Sequence, residues 1–159
     1  MTDDDRDEDE FESILVATDG SDAANAALER ALDLAERTGA TVDVLSVVDT
    51  SSNPMRFGVT DVAELHRTTE TLVDEIVATV AGREVEIHGA IRRGRPVDVI
   101  LAYASENELD VIVVGRTGRG SVTEALLGST ADRLIRQASV PVIVVPDDAD
   151  DEDESVGLL

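Results

Sequence analysis

The chain has 159 residues, enough for one domain with a sizeable core and too few for two. With 35 acidic against 13 basic residues its formal charge is −22, a balance that repels nucleic acid and anionic membranes and argues against both as partners. Without cysteine there are no disulfides, thiolate metal sites or cysteine nucleophiles. With no charged-then-apolar leader and no bilayer-length apolar run, the expected location is cytoplasmic.

The charge is unevenly spread. Eight acids fall in residues 1–12 and seven in 147–154, so residues 1–11 and 147–159 read as disordered acidic segments flanking a domain over 12–146. Every basic residue is arginine. Acidic excess, missing lysine and few aromatics together suit a salt-rich, halophilic cytoplasm. At roughly 1 M salt the Debye length is about 3 Å, and repulsion between carboxylates is largely screened.

Within the domain, Ser13–Thr18 is apolar and β-compatible, a first strand, and Asp19-Gly20-Ser21-Asp22 turns into a helix from Ala23 to Arg37 capped by Ser21 or Asp22. Alanines at 23, 24, 26, 27, 31 and 35 give that helix a slim apolar face able to lie close to a sheet. Thr38-Gly39 closes it, and Thr41–Val48 supplies the second strand. Residues 50–60 read as a loop. Helical spacing returns over Asp61–Val80, with Val62, Leu65, Leu72, Ile76 and Val80 among the apolar positions, and Glu84–Ala90 alternates as a third strand. Pro96 suits a helix start, giving a helix over Pro96–Asn107 with Val97, Ile100, Leu101 and Ala104 inward.

Val111–Val114, four β-branched residues in succession, reads as a strand buried on both faces. A glycine-punctuated loop follows. Ser121-Val122-Thr123-Glu124 fits a capping box for a short helix to Leu127, a further helix spans Ser129–Gln137, and Val140–Val145 is the fifth strand. Strands alternating with crossover helices give an open doubly wound parallel α/β sheet with helices on both faces.

The chemistry concentrates at the end of the fourth strand. Gly115 and Gly118 can turn several amides toward one phosphate, and Gly128-Ser129-Thr130 opens a helix whose unpaired N–H groups offer a second anion seat. A P-loop is excluded because it needs a lysine. The usual dinucleotide fingerprint is not supported either, because the glycines come late and in the order G-x-x-G-x-G. Arg116 and Arg119, inside the loop, would either neutralise phosphates or be solvated loop arginines. Taken singly, the glycines could be ordinary turns, Ser129 a helix cap and Asp19 a turn former.

The spacing Gly115-x2-Gly118-x9-Gly128-Ser129, with Asp19 closing the first strand, resembles the nucleotide-binding branch of the universal stress protein family over residues 12 to 146. The resemblance implies strand order 3-2-1-4-5 and a crevice between strands one and four with Asp19 facing Gly115. It implies Ala17, Thr18 and Val47 around an adenine, Asp19 at the ribose or near a divalent cation, and Gly115, Gly118, Gly128 and Ser129 as the phosphate bed, with Val114, Arg116, Arg119 and Thr130 as further candidate binding residues beside it. It further implies ATP (or AMP or ADP), with Mg²⁺ or Mn²⁺, and a homodimer through Val140–Val145. Family members often carry Ser-His or Thr-His where this chain has Arg116-Thr117, which puts a loop histidine's role in doubt. Arg92, Arg93 and Arg95 read as surface charge, and His66 and His88 are too isolated for a metal site or catalytic base.

The expected function is therefore an ATP-binding stress-response or signalling module with little or no hydrolysis. A dimerising interaction module that ignores nucleotide is the alternative. A slow ATPase or adenylyl-transfer enzyme, which would need a convergent catalytic group not visible in the sequence, is the third.

Overall fold

The computed structural model describes residues 11–50, 59–117 and 127–146, with side chains described from residue 63 onward in the second stretch. The elements are β1 (Ser13–Ala17), α1 (Asp22–Thr38), β2 (Thr41–Asp49), α2 (Val59–Val80), β3 (Ile87–Gly94), α3 (Pro96–Glu106), β4 (Val111–Gly115), α4 (Ser129–Gln137) and β5 (Val142–Val145). The strands form one parallel sheet in the order β3-β2-β1-β4-β5, as the resemblance implied. Residues 1–10 and 147–159, most of the 50–60 loop and the capping box lie outside the described residues.

Side chains alternate across each strand and so build two cores. Ile14, Val16, Val42, Val44, Val111 and Val113 face the alanine stripe of α1 and the apolar side of α2. Leu15, Leu45, Ile112 and Val114 face α3 and α4 through Val97, Ile100, Tyr103, Ala104, Ala131 and Leu134. The central strands β1 and β4 are buried on both faces, which is why they read as continuous apolar runs.

α1 starts where Ser21 accepts a hydrogen bond from the Ala24 amide (3.2 Å), and it ends at Gly39, left-handed at φ 79°, whose N–H returns to the Ala35 carbonyl. On its outer face Glu29, Asp33 and Glu36 converge on the Arg83 guanidinium, which follows α2 and clasps the two helices together. At the opposite edge from the crevice, one Asp110 carboxylate oxygen accepts the amides of Glu12 (2.9 Å) and Ser13 (3.1 Å), pinning the start of β1 beside the start of β4.

Several boundaries differ from expectation. The third strand runs over Ile87–Gly94 rather than Glu84–Ala90, because pairing with β2 (Val42↔Ile87 through Asp49↔Gly94) outweighs the local alternation. Arg92 and Arg93 therefore lie in the strand and not in the connection after it. α2 begins two residues early, at Val59, and β5 begins two late, at Val142. Pro141 has no N–H to donate, although its carbonyl still accepts the Ile112 amide. Leu65, one of the apolar positions of the helical spacing, is exposed, and Val73, about two turns further along, is buried.

Tyr103 explains an acid on an interior strand. Asp43 sits mid-β2, paired between Leu15 and His88, and accepts the Tyr103 hydroxyl at 2.7 Å, while the Arg92 guanidinium lies 5.3 Å from the ring centroid. Burial, then the hydrogen bond to Asp43, pushes the phenol from 10.0 up to about 12. Because the folded value is raised, the stability from the neutral phenol is fully present below pH 10 and is lost as pH rises toward 12. As the sole tyrosine in a chain without tryptophan, its ionisation can be followed directly by ultraviolet absorbance. Native protein should titrate near pH 12 and urea-unfolded protein near 10, and Tyr103→Phe should lower unfolding stability by about 1–3 kcal/mol.

Candidate functional site

A cavity of about 380 Å³ opens at the carboxyl ends of β1, β2 and β4, where the strand order reverses and a doubly wound sheet leaves a crevice. Ten of the twelve residues singled out from the sequence line it: Ala17, Thr18, Asp19, Val47, Val114, Gly115, Arg116, Gly128, Ser129 and Thr130. Gly118 and Arg119 lie outside the described residues. The wall also includes Ala24, Leu45, Asp49, Pro96, Ile100, Thr117 and Ala131, none of which the sequence motifs single out. Of these, Asp49 had a usable signal. It closes β2 at the same sheet edge where Asp19 follows β1.

The wall from β1 and β2 is built by an interrupted ladder. The Thr18 amide bonds the Leu45 carbonyl (2.9 Å), but the Thr18 carbonyl accepts the buried Ser46 hydroxyl (3.0 Å) where a continued ladder would offer it the Val47 amide. Alternate residues of β2 turn their amides toward β1. Since the Thr41 amide donates to Glu12 on that side, Val47 does the same beyond the point where β1 ends. Its peptide donor and acceptor thus border the crevice. Next to them the chain turns sharply: the Gly20 amide bonds Thr18 Oγ1 (3.1 Å), Gly20 is left-handed at φ 81°, and the Ser21 amide bonds an Asp19 carboxylate oxygen (2.9 Å). The turn leaves the Asp19 side chain exposed at the cavity wall.

Gly115 is required for a reason different from the expected one. Its φ is not positive; instead, a Cβ there would lie 2.7 Å from the backbone C and O of Ala23, in the first turn of α1. The glycine lets β4 and α1 touch.

Beyond it, the Arg116 amide donates to the Val145 carbonyl (2.9 Å), and the Arg116 carbonyl accepts the Gly128 amide (2.7 Å), so the end of β4 is tied to the start of α4. That bond also corrects the expected phosphate bed, because the Gly128 amide is engaged within the protein. Gly128, not Ser129, is the N-cap of α4, and it has no side chain to cap with. The first helical bond there is donated by Asp132, so the amides of residues 129–131 have no acceptor inside the helix and begin at the cavity wall.

His66 and His88 stand apart from the crevice. His66 accepts from Arg93 Nε (3.2 Å) and His88 contacts Glu86 (2.8 Å). Among the described residues no group of three His, Cys, Asp or Glu side chains is placed to hold a metal ion, and no helix is long and apolar enough to cross a membrane.

Fold and cavity together define a small doubly wound α/β domain with an open crevice at the point where its strand order reverses. Residues 10–146 match the sequence profile of the Universal stress protein family, and the chain belongs to that family. It is similar to a universal stress protein of Methanocaldococcus jannaschii (31% identity over 139 residues, 85% of this chain and 82% of the relative). It is likewise similar to one from Bacillus subtilis (30% over 146 residues, 85% and 99%). Among solved structures, UspA from Lactobacillus plantarum superposes with a TM-score of 0.78 at 30% identity, covering 86% of this chain and 98% of that one. A universal stress protein from Archaeoglobus fulgidus in complex with dAMP superposes at 0.63 with 26% identity, covering 85% and 98%.

Adding a methyl group at position 115 tests the contact that shapes the crevice. Gly115→Ala should lower unfolding stability by about 1–3 kcal/mol in denaturant titrations through overlap with α1. Gly82→Ala, with open space around it, should not.

Proposed function

We propose that the cavity binds an adenine nucleotide, with ATP, ADP or AMP as the ligand, and that the chain is a nucleotide-responsive stress or signalling module. The observation that carries this reading is the convergence, in one cavity, of three different recognition surfaces. The apolar side chains of Leu45, Val47, Pro96, Ile100 and Ala131 suit a purine, with the Val47 peptide groups at its edge. The Asp19 carboxylate suits ribose hydroxyls. The first-turn amides of α4, the Ser129 and Thr130 hydroxyls and Arg116 suit phosphate. The volume lies in the range of small-molecule sites, about 300–1,000 Å³. The dAMP complex of the Archaeoglobus fulgidus relative supports the same ligand class.

By sequence position Gly118 and Arg119 belong to the same loop and would add to the phosphate contacts. Asp19 and Asp49 supply the hard oxygen donors that Mg²⁺ or Mn²⁺ prefers. Two carboxylates are too few to cage such an ion alone, so nucleotide phosphates would complete its shell and the ion would offset their charge. The described lining contains no histidine, cysteine or lysine, and slow turnover or none is the expectation.

The chain would act as a homodimer through β5, following the residues assigned to that contact, Val140–Val145. Val142, Ile143 and Val144 on this edge strand are only partly buried, and Ile135 is 49% exposed, leaving apolar surface that a second copy would cover. The cytoplasm is its proposed location.

Equilibrium titration of purified protein at high salt should give saturable binding of ATP and AMP below millimolar concentration, and no binding of either at that concentration would overturn the nucleotide reading. Sedimentation equilibrium should return the mass of two chains, and a single-chain mass would remove the dimer.

A further inference from the structure

The crevice does not end at α4. A second chamber of about 370 Å³ adjoins it, and Asp49, Pro96, Ser129 and Thr130 border both spaces. Arg95 and Arg133 belong to the second chamber alone. Two guanidinium groups and one carboxylate line this space, with Asp98 beside Arg95, on a chain whose formal charge is −22.

Both arginines are available to a ligand. Arg95 Nε stands 3.9 Å from Asp98 Oδ2, with the two side chains 62% and 66% exposed, a contact that water and salt weaken. Asp132, the acid next to Arg133 in the chain, is engaged with Arg136 at 3.3 Å. Arg95 is the N-cap of α3 and makes no side-chain capping bond, so the chamber lies between the starts of two helices.

We propose that this chamber seats the terminal phosphates of a polyphosphate nucleotide, and that Arg133 and Arg95 thereby make the protein prefer a nucleoside triphosphate to a monophosphate. The inference rests on the nucleotide reading of the main cavity. A phosphate chain held at Ser129 and Thr130 follows the first turn of α4 into the chamber, where a planar guanidinium fork can pair two phosphate oxygens at once. A monophosphate stops short of both arginines. What the module senses is then the charge state of the adenylate pool and not the presence of adenine alone.

Calorimetric titration of the full chain with ATP, ADP and AMP, with EDTA present so that no metal bridges the phosphates, tests this. Wild type should bind ATP about tenfold or more tightly than AMP, with ADP between. Arg133→Gln combined with Arg95→Gln should weaken ATP about tenfold while changing AMP by less than about twofold, and raising KCl should narrow the ATP preference of wild type. Both substitutions are at exposed positions, and an unchanged thermal unfolding curve confirms that the variant folds. Equal wild-type affinities for ATP and AMP, or a double variant that weakens both alike or neither, overturns the chamber's role while leaving nucleotide binding standing. Failure to bind any of the three removes the parent reading instead.

Discussion

The approach of β4 to the first turn of α1, possible only because residue 115 has no side chain, sets the shape of the crevice. The alanine stripe of α1 lets the helix lie low against the sheet, and Gly115 lets its N-terminal turn come nearer still. Ser21 then fixes where the helix begins, which in turn fixes the Asp19–Gly20 turn and the wall carrying the Asp19 carboxylate. A bulkier residue at either surface would lift α1 from the sheet and change the shape of the crevice wall.

The opposite wall depends on β5. Arg116 is held by the Val145 carbonyl and itself holds Gly128, so the last strand positions the start of α4 through two consecutive main-chain bonds. Any assembly that involves β5 therefore lies two hydrogen bonds from the first turn that borders the cavity. The sheet edge and the crevice are thus joined through main-chain hydrogen bonds.

Much of this was legible in the sequence, for identifiable reasons. Buried central strands announce themselves as β-branched runs, and α1 as a periodic alanine face between a capping serine and a left-handed glycine. The bounds of β3 are not legible, because an edge strand exposed on much of both faces has no clean alternation and only its partner β2 determines the register. The glycines and Asp19 stood out because their positions next to strand ends limit what the backbone can do there. Leu45, Ile100 and Ala131 carried no such mark, since an apolar residue lining a cavity is composed like one filling a core. The role of Gly115 could not be read either, because the atoms that exclude a side chain there come from a helix about ninety residues earlier in the chain.

The Arg83 cluster gives the domain an ionic dependence of its own. One cation stands among Glu29, Asp33 and Glu36 on the solvent side of α1, so the patch keeps surplus negative charge after pairing. Salt screens the attractions to Arg83 together with the repulsion among the three carboxylates, and its effect falls on the middle and end of α1 and on its junction with α2, remote from the turn that enters the crevice. Ionic strength would thus act on the outer shell of the protein at a place separate from the crevice, so that a change of salt and a change at the crevice would register as separate events in the same molecule.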